Sequence, residues 1–91
     1  MLETSNTARL DPLATGAAIN EARRRRGWTQ AELVLEVRKQ LGKKFAFTPQ
    51  TLDNIEKGKV RYPGDHTQFA IATVLKLDVA ALWPAPVRGR S

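Results

Sequence analysis

Apolar positions along the chain fall into separate stripes at helical spacing. Leu13, Gly16, Ile19 and Ala22 recur every third residue, which predicts one apolar face on a helix. Leu33, Val34, Val37 and Leu41 follow at i, i+1, i+4 and i+8 and predict a second amphipathic helix. Leu52 and Ile55 are the only strongly apolar residues of a third segment, so that helix is short, with a narrow buried side and a wide polar one. Phe69, Ile71, Ala72, Val74 and Leu75 supply a broad face for a fourth helix, and Val79, Leu82 and Trp83 a short fifth. Alternation of period two is absent, apart from a possible extended piece at Lys44 to Phe47, and there is no internal repeat. The pattern predicts an all-α fold of five helices.

Capping residues punctuate these stripes. Asp11-Pro12 reads as an N-cap followed by proline at the first helical position. Arg23 to Arg26 close that helix with cations that complement its dipole, and Gly27 supplies a left-handed exit. Thr29 and Glu32 form a capping box, and Gly42 stops the second helix. Thr48-Pro49 repeats the start signal and Gly58 ends the third helix. Gly64-Asp65 opens the fourth, Asp78 caps the fifth, and Pro84 and Pro86 end the ordered part. The expected organisation is a disordered N-terminal arm over 1–10, a helical domain over 11–84 and a flexible basic tail over 85–91.

At 91 residues the chain has room for one domain, and not for a Rossmann sheet or a barrel. No apolar run approaches the roughly 20 residues that span a bilayer. The N-terminus lacks a basic and an apolar signal region. Together these predict a cytoplasmic protein with no membrane partner. There is no cysteine and only one histidine, His66, so no thiolate nucleophile or metal centre is expected. No Ser-His-Asp set, Gly-rich phosphate loop or pair of catalytic carboxylates stands out. Neither a catalytic residue nor a cofactor is therefore expected, and the protein reads as no enzyme. Fifteen Lys and Arg against nine Asp and Glu leave a net charge of +6, which favours a polyanionic partner.

The order of elements and three runs of residues resemble the lambda-repressor-like helix-turn-helix domains of the Cro/cI (XRE) family. Trp28-Thr29-Gln30-Ala31-Glu32-Leu33 resembles the entry to the family's second helix. The run from Phe47 through Thr48-Pro49-Gln50-Thr51-Leu52-Asp53-Asn54-Ile55-Glu56-Lys57-Gly58 to Lys59 resembles its recognition helix and exit, and Ile71 to Trp83 its closing pair of helices. The resemblance covers residues 12 to 83. It implies sequence-specific binding of double-stranded DNA by a small, nucleoid-associated regulator. Such a regulator would be a repressor of Cro-like, prophage or antitoxin type, bound as a homodimer to a palindromic operator with half-sites about 34 Å apart.

On that resemblance, base contacts fall to Pro49, Gln50, Thr51, Asn54 and Lys57. The chemistry suits them, because Gln and Asn pair with the N6/N7 edge of adenine and threonine serves either edge. Phosphate contacts fall to Thr29, Gln30, Thr48, Lys59 and Arg61, with Lys43 and Lys44 on the preceding connection. Glu56 resembles an acid that pairs with an arginine on the first helix, for which Arg23 is the candidate. Trp28, Phe69 and Trp83 read as core or dimer-contact residues, with Leu82, Trp83 and Val87 as candidates for the dimer surface.

Two departures from the pattern stand out. The connection between the second and third helices is longer than usual by about eight residues. Either the second helix is extended by two turns, or a loop bearing Lys43, Lys44 and Phe45 projects. Gln68 also sits where an apolar residue is common. The inserted segment and the Trp83 region favour an alternative, a protein-interaction module that binds RNA polymerase, a toxin or another regulator through the same fold.

Overall fold

The computed structural model describes residues 10–84. Five α-helices pack around one core: α1 (Pro12–Arg25), α2 (Gln30–Leu41), α3 (Pro49–Glu56), α4 (Asp65–Leu75) and α5 (Val79–Leu82). No strand occurs among the described residues. Ile19, Leu33, Val37, Leu52, Ile55, Ala70, Ile71, Val74, Leu75, Leu82 and Trp83 form the core, so every helix contributes to it. Of the candidates for a dimer surface, Leu82 and Trp83 are thus spent inside the protomer, and Val87 lies outside the described residues.

The capping chemistry is local, and it places the helix boundaries. Asp11 accepts from the amides of Leu13 and Ala14. Thr29 accepts from the Glu32 amide while Glu32 accepts from the Thr29 amide, completing the box. Asp78 accepts from the Ala80 amide. The ends of α1 and α3 share one solution. Trp28 and Gly27 amides donate to the carbonyls of Arg23 and Arg24, and Lys59 and Gly58 amides donate to those of Asn54 and Ile55. This is the Schellman pairing, which needs a left-handed residue, and Gly27 and Gly58 supply it with φ of 74° and 78°.

Three expectations need correction. Leu13 is 68% exposed and Phe69 48% exposed. For Leu13 the first turn of α1 runs past the end of the core, and its side chain lies over Gly58 at the exit of α3. Residues Lys44 to Phe47 hold no strand; Lys43–Phe45 form a single 3-10 turn instead. Leu10, placed in the arm by its sequence context, packs against the core; residues 1–9 and 85–91 lie outside the described residues. In the arginine run, Arg24, Arg25 and Arg26 stay exposed. Arg23 is buried, Arg25 pairs with Glu21 at 2.8 Å, and Arg26 donates to the Leu75 carbonyl at 3.0 Å.

The long connection is an extended second helix followed by a packed turn, and not a projecting loop. Helix α2 continues to Leu41, where Gly42 stops it with φ of 91°. The following 3-10 turn then packs on α2 and α4. Phe45 does not project: its ring lies 5.4 Å from that of Phe69 and 4.9 Å from that of His66.

Helix α1 crosses the end of α3 at Gly16. A Cβ there would lie 2.4 Å from the Glu56 carbonyl oxygen and 2.6 Å from that of Ile55. Glycine at this position therefore serves close backbone approach, not an apolar stripe.

Candidate nucleic-acid interface

Helix α3 buries Leu52 and Ile55 and turns its other side outward. Thr48 caps it, accepting from the Thr51 amide at 3.1 Å, and the two hydroxyls lie 3.0 Å apart. Pro49 and Gln50 are exposed, while Thr51 and Asn54 are half-buried on the same helix. Gln50 Nε2 donates to Asn54 Oδ1 at 3.1 Å. This single bond organises the pair, leaving the Gln50 carbonyl oxygen and the Asn54 amide nitrogen for an external partner.

Behind this face sits a buried polar cluster joining three helices. Glu56 accepts from Arg23 Nε at 2.8 Å and Nη2 at 3.0 Å, from Asn20 at 2.8 Å and from Gln30 at 3.1 Å. Arg23 also donates to the Trp28 carbonyl at 2.6 Å. The side chains of Arg23 and Glu56 are 10% and 5% exposed. The expected Arg23–Glu56 pair is therefore present, and buried. Asn20 is the member the sequence reading missed. Its signal was positional, since it precedes Arg23 by three residues and so shares its side of α1.

Gln30 is not free to act as expected of a phosphate ligand. Its Nε2 donates to both Asp53 Oδ1, at 3.2 Å, and Glu56 Oε1, at 3.1 Å. Both amide hydrogens are engaged, so in this arrangement the side chain ties α2 to α3. Thr29 is exposed at the N-terminus of α2, with its hydroxyl committed to the capping box. Lys57 turns back on its own helix, 2.9 Å from Asp53.

These contacts cancel the acidity of α3. Asp53 is paired with Lys57 and Glu56 with Arg23, leaving no unpaired carboxylate on the helix. The Lys57 ammonium, with help from Gln30, holds the Asp53 carboxyl below its usual range. For Glu56, burial is the largest influence and pushes the carboxyl up. The combined hydrogen bonds of Arg23, Asn20 and Gln30, with the arginine charge, outweigh it and leave a net lowering. A carboxylate depressed in the folded state binds protons better when unfolded. Its contribution to stability is complete above the unfolded value and is lost as pH falls through the folded one. Urea midpoints should therefore fall on acidification below the ordinary glutamate range, and that fall should be smaller in Glu56→Gln. An equal fall in both proteins would place the acid sensitivity elsewhere.

Beyond Gly58, Lys59 and Arg61 are exposed and form no ion pair among the described residues. They follow α3 directly. Lys43 and Lys44 are exposed too, but their turn packs on α2 and α4. The structure thus brings Thr48, Pro49, Gln50, Thr51 and Asn54 together on α3, with Lys59 and Arg61 at its exit, and sets Lys43 and Lys44 on a separate element. Among the described residues no group of three or more His, Asp or Glu side chains is placed to hold a metal ion, and no helix is long and apolar enough to cross a membrane.

Comparison with family models, with characterised proteins and with solved structures finds no match to this chain.

Proposed function

We propose that the protein is a helix-turn-helix DNA-binding regulator of the lambda-repressor-like kind. Helix α3 is its recognition helix, double-stranded DNA its ligand, and the cytoplasmic nucleoid its place of action. One observation carries this reading: an eight-residue helix presents a hydrogen-bonded Gln50–Asn54 amide pair outward while both its acids are paired, Glu56 with Arg23 of α1 and Asp53 with Lys57 at its own C-cap. A major-groove reader needs short polar side chains near the start of a helix that approaches polyphosphate without repulsion. The Gln50 oxygen and the Asn54 nitrogen match the N6 donor and N7 acceptor of adenine. Thr51 and Pro49 fit a thymine methyl beside it. Lys59 and Arg61 serve the phosphates, and the free amides in the first turn of α2 serve another at the helix N-terminus. A dimer on a palindrome, acting as a repressor, is the form this class of reader implies.

Two variants test the assignment. Gln50→Ala and Asn54→Ala should each weaken specific binding by about 1–3 kcal/mol and relax the base preference. Lys59→Ala should weaken all sequences alike and flatten the salt dependence by about one unit. The first experiment is selection of bound duplexes from a random library near physiological salt, with the solution mass recorded alongside. An enriched palindrome and a dimeric mass support the proposal. Binding that prefers no sequence, unaltered by Asn54→Ala, removes α3 from the groove.

The exposed rings of His66 and Phe69, stacked on half-buried Phe45, favour a second reading, in which the fold docks another protein. That reading expects binding that survives loss of Asn54 and is lost with Phe69→Ser.

A further inference from the structure

Helix α4 is buried on most of its circumference, and its exposed residues form one stripe. Ala70, Ile71, Ala72, Val74 and Leu75 are buried, while Asp65, His66, Phe69, Thr73 and Lys76 are exposed. His66, Phe69, Thr73 and Lys76 fall at i, i+3, i+7 and i+10, the spacing of a seam between two paired helices. Phe69 is 48% exposed, and its ring lies 5.4 Å from that of Phe45, which meets His66 at 4.9 Å. The Phe69 ring is therefore braced before any partner arrives, which lowers the entropy cost of binding. Asp65 opens the stripe and Lys76 closes it, three turns or about 16 Å apart. Arg26 donates to the Leu75 carbonyl at 3.0 Å and adds a second cation at the Lys76 end. Neither Asp65 nor Lys76 forms an ion pair among the described residues.

We propose that this stripe is the interface between two copies of the chain, packed antiparallel along α4 about a two-fold axis. A two-fold interface must be self-complementary, so that residue i meets j and j meets i. The stripe has that form. Reversal sets Asp65 of one copy against Lys76 and Arg26 of the other at both ends, with the two Phe69 rings beside the axis. It also opposes the two helix dipoles. The apolar residues of α5 are not available instead: the buried Thr15 hydroxyl donates to the Leu82 carbonyl at 2.7 Å, and Trp83 is 4% exposed. Lys43 and Lys44 stand on the turn that carries Phe45, and the net charge of +6 opposes association. The braced rings therefore supply the attraction, and the two ion pairs fix the direction. None of the residues assigned to DNA lies on the stripe. The proposal thus stands apart from the DNA-binding reading, while giving a surface to the dimer that reading implies.

The test is the solution mass of the full chain without DNA, by sedimentation equilibrium from about 1 μM to about 1 mM, the range of moderate to weak affinities. A dimer of the 10.1 kDa chain is expected. Phe69→Ser should abolish it within this range. Asp65→Lys and Lys76→Asp each put like charges at both ends. Each should weaken association roughly 10- to 50-fold, since two exposed pairs become two repulsions of similar size. Aspartate tolerates the left-handed backbone of Lys76, at φ 58°, and circular dichroism checks that both variants keep their helices. Mixed in equal amounts, the two variants should recover most of the dimer, because each end of the mixed pair again holds an anion against a cation. A chain that keeps the monomer mass throughout overturns the proposal and leaves the patch to another protein. A dimer that survives Phe69→Ser overturns it as well, since the copies then meet elsewhere. Charge variants that do not complement on mixing exclude the antiparallel pairing. Each of these results leaves the groove assignment of α3 to its own duplex selection.

Discussion

Arg23→Met is expected to lower the free energy of unfolding by about 3–5 kcal/mol, the usual cost of stripping one partner from a buried ion pair. Among the described residues Arg23 makes two of the four hydrogen bonds that Glu56 accepts and supplies the one cation paired with it. Asn20 and Gln30 remain in the variant, but they are neutral and cannot balance the charge. Glu56 must then take up a proton or pull water into the junction of α1, α2 and α3. Small domains are stable by only about 5–15 kcal/mol, so this single change removes a large share of the total. The companion variant Arg23→Met/Glu56→Met separates charge from packing. An apolar pair of similar volume removes the orphaned carboxylate and should recover most of the loss. Urea titrations followed by circular dichroism measure both. A single substitution costing less than about 1 kcal/mol would mean that solvent reaches Glu56 and that the pair carries only the weight of a surface bridge.

Gly16→Ala is the second large effect, and its sign is opposite to the common rule. Replacing glycine by alanine inside a helix ordinarily stabilises by about 0.5–1 kcal/mol. Here the added methyl would meet two backbone oxygens of α3, at 2.4 and 2.6 Å. Neither can rotate away, since both belong to the peptide groups that end α3. Helices α1 and α3 must separate, which strains the Arg23–Glu56 bonds two turns along α1 and opens the core around Ile19 and Ile55. A loss of about 1–3 kcal/mol or more is expected, the range for overpacking a filled interior. Because α3 is the part displaced, the proposed DNA-binding function predicts that whatever fraction remains folded also loses its base preference. A thermal midpoint at or above that of the unaltered protein would show that α1 slides without cost.

The contrast between these two residues explains what the sequence discloses and what it does not. Helix boundaries are written in neighbouring residues. Asp11-Pro12, the Thr29–Glu32 box, Thr48-Pro49 and the left-handed glycines at 27, 42 and 58 each act within one turn, and each is found where the sequence places it. Periodicity likewise identifies Ile19, Leu33, Val37, Leu52 and Ile55 as core. It fails for Leu13 and Phe69, because a stripe states which side of a helix is apolar but not how far the neighbouring helices extend to cover it. Gly16 fits its stripe for a reason the stripe does not contain, the proximity of a carbonyl forty residues later in the chain. Gln30 shows the same limit. Its place on the first turn of α2 is legible, but its engagement by Asp53 and Glu56 depends on how α2 and α3 cross. Phe45 could be read only as part of an insertion until α4 was in place to receive it.

The bond from Thr15 to the Leu82 carbonyl has a consequence for how the chain can be rewired. It joins residues 67 positions apart, one turn from the start of α1 and two residues from the last described one. The beginning and end of the helical domain are therefore neighbours. A bridge of about six residues, reaching up to about 20 Å, is long enough to join residue 84 to residue 11. New ends can then be opened between Gly42 and Thr48, on the exposed turn that carries Lys43 and Lys44. Such a circular permutant keeps every helix intact and moves the free ends from the α5 side to the approach to α3. The same closeness lets two copies be concatenated through a short tether, so that the spacing between their two α3 helices becomes a property of linker length.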